Sequence, residues 1–196
     1  MDFDLRLIVS PIEIYNGLSY GDWASIWCSW LFSDQDQTGS VYFLRGNLDN
    51  ESEVVRMNKN SLTVFSDLAI FFPIICTISC RLLASNKLTQ MMRRNDSTKQ
   101  ELNPEVLRLR INDTEIQNLR KYYVESTEFM LEVSTNSALR SYFRRNTRSG
   151  KSEAVTAGYW VLIRPLPVGK YRIKFQGQHR DGFKTSGDYT INIVKR

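Results

Sequence analysis

Gly158-Tyr159-Trp160-Val161-Leu162-Ile163-Arg164-Pro165-Leu166-Pro167 leads through Val168-Gly169 into Tyr171-Arg172-Ile173-Lys174-Phe175-Gln176, and the reading of this stretch decides the fold class. Successive side chains of a strand point to opposite faces of the pleat, so Tyr171, Ile173 and Phe175 share one face while Arg172, Lys174 and Gln176 share the other. The pattern recurs in Tyr189, Ile191 and Ile193, beyond a stretch containing Gly177, Gly182 and Gly187. A Pro-Leu-Pro-Val-Gly turn followed by two half-buried strands predicts the closing strands of a β-sandwich.

Working outward, Ser19-Tyr20-Gly21-Asp22 opens a helix, with Ser19 as cap and Asp22 three residues on as in a capping box. Tyr20, Trp23, Ile26, Trp27, Trp30 and Leu31 then recur at helical spacing and predict an apolar stripe laid across a sheet, its tryptophans in the core. An aromatic platform for stacking a sugar or base is the competing reading of the same residues. Strands are predicted at 41–44, 62–65, 69–75, 107–111, 122–124, 129–133 and 159–163, besides the last two. Ala69 to Ile75 is apolar on both faces, which places it centrally, with Pro73 at a bulge or strand end.

The expected fold is therefore mainly β: an antiparallel sandwich, Ig-like or jelly-roll-like, of about nine strands with one Trp-rich helix and a weaker one in 81–94. Residues 1–196 are expected to form a single domain, with 1–18 as an edge strand or arm, 19–33 as the helix, and 81–103 and 140–154 as polar insertions. Its expected core includes Trp23, Trp27, Trp30, Phe71, Phe72, Trp160, Tyr171, Ile173 and Phe175.

Charge is unevenly spread along the chain. The total is +5, yet residues 1–70 carry ten acids against four bases and residues 71–196 carry eleven against twenty-two. Such a dipolar chain can associate acidic part to basic part if folding keeps the two apart in space. The start, Met1-Asp2-Phe3-Asp4-Leu5-Arg6, lacks the features of a secretory signal. The mostly apolar run Leu68–Cys80 falls short of the ~20 residues that span a bilayer. Cys28, Cys76 and Cys80 are an odd number and fit reduced core thiols, so folding in the cytoplasm is expected, with the virion as destination if the protein is viral.

No catalytic residues, cofactor site or metal site are expected. The single histidine, His179, lies in a polar stretch that reads as a hairpin loop, and no second cysteine pair accompanies Cys76 and Cys80 to complete a zinc set. Neither a Gly-x-Ser-x-Gly elbow nor a glycine-rich phosphate loop is present. Asp34-Gln35-Asp36-Gln37-Thr38-Gly39 resembles the first half of a calcium loop, but Arg45 stands where the closing bidentate Glu belongs. Glu125 and Glu128 read as surface residues beside a turn. The best interaction candidate is basic: Arg140, Arg144, Arg145, Arg148 and Lys151 around Tyr142 and Phe143. Bases interleaved with aromatics can contact a partner or polyanion, a protein fitting better here than nucleic acid, while the same composition also describes a solvated loop anchored by its aromatics.

Three ordered blocks, Tyr20-Gly21-Asp22-Trp23 with Trp27 and Trp30, Phe71-Phe72-Pro73-Ile74, and Gly158-Tyr159-Trp160-Val161-Leu162 with Pro165-Leu166-Pro167 and Gly169, resemble a poorly characterised β-sandwich family. Its members occur in bacteria, archaea and some large DNA viruses, often as secreted or surface proteins. Here Cys28 stands where relatives often carry another Trp. The resemblance implies a fold and supplies no catalytic residues. The function expected is that of a structural component of a larger assembly, such as a minor capsid or cement protein of a virion or part of a surface layer. A carbohydrate-binding module is the alternative, and a hydrolase with an unrecognised acid/base pair comes third.

Overall fold

The computed structural model describes residues 3–33, 36–37, 39–50, 53–54, 61–80, 82, 103–134, 148–180 and 182–196, as backbone alone at 47–50 and 53–54. These residues form one helix, α1 (Tyr20–Phe32), and twelve strands. The strands are β1 (Val41–Phe43), β2 (Asn47–Asn50), β3 (Glu53–Val54), β4 (Ser61–Phe65), β5 (Ala69–Cys80), β6 (Val106–Ile111), β7 (Thr114–Glu115), β8 (Tyr123–Glu125), β9 (Phe129–Val133), β10 (Gly150–Ile163), β11 (Gly169–Gln178) and β12 (Lys184–Val194). The three beyond the sequence expectation, β2, β3 and β7, are two to four residues long and polar, too short to show a period of two. The weaker helix expected within 81–94 lies outside the described residues, Leu82 apart.

Two sheets result. Sheet 1 has the order β1-β5-β10-β8, with β9 also on β10, and sheet 2 has the order β3-β2-β12-β11-β6-β7, with β4 also on β12. The expectation of a purely antiparallel sandwich is corrected, because β1 runs parallel to β5 and β4 runs parallel to β12. Parallel neighbours need a long connection, and here the chain leaves β1 for sheet 2 and returns as β5 beside β1. Both sheets are therefore mixed.

Sheet 1 is the middle layer. Phe71 of β5 and Trp160 of β10 stack at 5.4 Å beneath the Trp27 ring of α1. On the other face of sheet 1, Phe72 stacks on Phe175 of sheet 2 at 4.9 Å. A strand covered on both sides must be apolar on both sides, which explains the unbroken run in β5. The register between β5 and β10 shifts at Tyr159/Trp160, opposite Pro73 and Ile75, so Pro73 sits at a bulge where its missing N–H leaves no gap in the ladder.

The helix begins as its sequence predicts. Ser19 Oγ accepts from the Asp22 backbone N–H at 3.2 Å, and Ser19 N–H donates back to the Asp22 carboxylate at 2.9 Å. Hydrogen bonds from the Ser19 hydroxyl and backbone hold the Asp22 carboxyl below its ordinary value. A carboxyl with a depressed native pKa contributes stability above its unfolded pKa of about 4, and that contribution fades as pH falls through the native value. Ser19→Ala should therefore cost about 1 kcal/mol near neutral pH and less in acid, where Asp22 is protonated, as read from urea midpoints at several pH values.

The buried stripe of α1 is rotated from its sequence expectation. Ile26 is 39% exposed, while Ala24, Cys28 and Phe32 join Tyr20, Trp23, Trp27 and Leu31 in the core. Small Ala24 and Cys28 let the helix axis approach sheet 1 closely, and this shifts the contact line by about one position. The N-terminal segment forms an arm along the end of β10, where Val9 N–H donates to Leu162 O at 2.9 Å and Arg164 N–H to Leu7 O at 2.8 Å. The buried Tyr20 hydroxyl fastens arm to strand by donating to Val9 O at 2.6 Å and accepting from Leu162 N–H at 3.1 Å.

Candidate functional site

Sheet 2 covers sheet 1 with one face and leaves the other to solvent. On that open face the alternation in β6 points Arg108 and Arg110 outward while Leu109 and Ile111 go to the core. In β11 the same alternation points Lys170, Arg172, Lys174 and Gln176 outward from Ile173 and Phe175. Antiparallel register then sets Lys174 beside Arg110 and Gln176 beside Arg108, because directly opposed residues share a face.

Among the described side chains, six bases (Arg108, Arg110, Lys170, Arg172, Lys174, Lys184) thus gather on one rigid surface with two acids, Asp188 of β12 and Glu115 of β7. Asp188 is taken up by Arg172, whose Nε and Nη2 each donate at 2.9 Å, and by Lys174 at 3.2 Å. The Arg172 contact, more than that of Lys174, holds the Asp188 carboxyl below its ordinary value. Among the described residues, no carboxylate lies within 4.0 Å of Arg108 or Arg110. These two, with Glu115, Lys174, Gln176 and Ser186, line a trough of about 490 Å³. Like charges two residues apart on a strand repel, so the arrangement favours an anionic occupant placed between them.

Of the basic stretch singled out in the sequence, Arg140, Tyr142, Phe143, Arg144 and Arg145 lie outside the described residues. Arg148 N–H donates to Leu82 O at 2.9 Å. Lys151 belongs to a strand and not to a loop: it is the second residue of β10, paired in register with Glu132, and its ammonium sits 3.3 Å from that carboxylate. Gly150 to Ala154 reads as a polar loop in sequence because its strand lies at the exposed end of sheet 1 and carries small or charged side chains.

The tryptophans of α1 are set as packing residues. Trp23 and Trp27 are buried, and their indole N–H groups donate to Tyr15 O at 3.1 Å and Leu44 O at 2.9 Å. Trp30 is half-buried, with the Arg45 guanidinium 4.3 Å over its ring. Phe71, Phe72, Trp160, Ile173 and Phe175 are buried, and Tyr171 packs half-buried at the core edge.

His179 is 3% exposed and stacked 6.1 Å from Phe183, so the polar hairpin folds over its histidine. Gln37 of the calcium-like stretch uses both ends of its amide on the Phe43 backbone, while Asp34, Gln35 and Thr38 lie outside the described residues. Cys28 and Cys80 are buried and Cys76 is half-buried, and burial pushes the Cys28 thiol up to about 12. Among the described residues no group of three His, Cys, Asp or Glu side chains is placed to hold a metal ion, and no helix is long and apolar enough to cross a membrane.

The basic face escaped sequence reading as a unit. Its signal is two strands with bases at alternate positions, Arg108/Arg110 and Arg172/Lys174, and only their pairing makes them one surface. No family model, curated protein or solved structure matches the chain.

Proposed function

We propose that this chain is a non-enzymatic interaction protein, a component of a larger assembly of the virion or surface-layer kind, whose open basic sheet face takes an acidic protein partner. The observation that carries the reading is the trough between Arg108, Arg110 and Lys174. The paired strands fix the backbone that carries these side chains, so the spacing of the charges is preorganised and only their rotamers are ordered on binding. A protein partner is preferred to nucleic acid because Gln176 and Ser186 line the same trough, while among the described residues the one aromatic at its lining, Phe175, turns its buried ring inward onto Phe72 and offers no face to stack a base.

The test is fluorescence anisotropy of a labelled oligoglutamate peptide, with a labelled DNA strand of equal charge alongside. The peptide should bind the wild type, release as salt rises, and lose at least about tenfold in affinity in the double variant Arg108→Ala/Lys174→Ala. Failure of the peptide to bind, or equal binding by the double variant, would count against the basic face. Tighter binding of the DNA strand would replace the protein partner with a nucleic acid.

A further inference from the structure

The basic face has an acidic counterpart on the same molecule. β8 and β9 form the outer rim of sheet 1, and among the described residues each pairs with β10 alone. The register Met130↔Glu153 and Glu132↔Lys151 places these four side chains on one face of the rim. Glu125 and Glu128 stand exposed at the turn into β9, so among the described residues the rim presents Glu125, Glu128, Glu132 and Glu153, with the Lys151 ammonium 3.3 Å from Glu132. Met130 sits among these acids, 59% exposed. Arg120 donates to Asn103 and also interacts with the Tyr159 hydroxyl of β10, at the end of the rim where β8 begins.

Rim and face are complementary in more than sign. The rim offers an exposed thioether flanked by carboxylates, and the face offers a trough bordered by guanidinium and ammonium groups. Methionine is favoured at interface centres, where a flexible apolar side chain fills a gap, and charges around it set the register. Sheet 1's rim runs along its side, whereas the open face of sheet 2 points away from sheet 1, so one copy cannot satisfy both surfaces by itself. A contact of unlike patches is heterologous and propagates head to tail.

We propose that the acidic partner of the basic face is a second copy of this chain, docked through Met130 and the glutamates of the β8/β9 rim. The proposal rests on the reading of the basic face given above. It assigns the rim residues Glu132 and Glu153 to the trough of Arg108, Arg110 and Lys174 on the next copy.

Multi-angle light scattering of the full chain tests it across protein concentration, at about 0.01 M and about 1 M salt, where the screening length falls from about 30 Å to about 3 Å. Mass should rise with concentration at low salt and return to that of a monomer at high salt. Arg108→Ala/Lys174→Ala and Glu132→Gln/Glu153→Gln should each weaken association at least about tenfold. Mixed in equal amounts, the two variants should form a one-to-one dimer and nothing larger, since only one intact face and one intact rim remain between them. That dimer also shows that both variants are folded. A monomer at every concentration in low salt, or two variants that still associate like the wild type, overturns the self-partner. If oligoglutamate still binds in that case, the basic face keeps its acidic partner and only the second copy is excluded; if it does not, both readings fall.

Discussion

Trp160→Ala should be the most destabilising of the core truncations, by about 3–5 kcal/mol, a large part of the 5–15 kcal/mol typical of a folded domain. Trp160 is fully buried in the strand that forms the centre of sheet 1. It stacks on Phe71 at 5.4 Å with an interplanar angle of 5° and meets Trp27 edge-on at 5.4 Å. Removing the indole opens a void between helix and sheet that neither neighbour can close, because Trp27 is tied to Leu44 O and Phe71 sits on a paired strand. The indole N–H of Trp160 has no hydrogen-bond partner among the described residues. A buried donor without a partner costs about 1–3 kcal/mol, so Trp160→Phe removes that penalty along with the smaller volume. It should stay within about 1.5 kcal/mol of wild type. Urea unfolding followed by circular dichroism separates the two substitutions; equal costs for Ala and Phe would show that packing around this ring is not what holds α1 on the sheet.

The second large effect is expected at Gly158. A Cβ there would lie 2.5 Å from Ile75 O and 2.6 Å from Cys76 Cα and Cβ. These are mostly backbone atoms of the neighbouring strand, so no rotamer change relieves the clash. β5 and β10 would have to part where Gly158 pairs with Cys76, in the layer that both α1 and sheet 2 pack upon. Gly158→Ala should cost about 3 kcal/mol. Gly46→Ala is the matched control, since its Cβ would meet Phe175 and Thr185 at 3.5 Å, an ordinary contact distance. It should lie within about 0.5 kcal/mol of wild type. Similar urea midpoints for the two variants would mean that the strands can separate freely at Gly158.

Much of the fold was legible because its signals are local. Ser19 and Asp22 are three residues apart, the β11 alternation runs over consecutive residues, and the two-faced apolar run of β5 is contiguous. Where reading fell short, the cause was distance or size. β2, β3 and β7 are too short to carry a pattern. The first residues of β10 alternate small and charged side chains, which marks a strand only once β9 is known to lie beside it. At Ile26 the helix period alone could not say which side of a broad stripe meets the sheet, because that depends on how closely Ala24 and Cys28 let the helix approach. His179 sits in a polar stretch yet is buried, since Phe183 closes over it from the far side of a hairpin.

By itself the sequence determined that the chain is β-rich with one capped helix, that β5 is central, and which side of β11 and β12 faces the core. Those properties follow from side-chain periodicity and turn chemistry within a few residues. Tertiary structure alone decided the parallel pairings, the three-layer order and the gathering of Arg108 and Arg110 with Arg172 and Lys174 on one open face, opposite in charge to the rim of Glu132 and Glu153. Each of these depends on the register between strands far apart in the chain. That register is set by the summed packing of both sheets, and no local pattern encodes it.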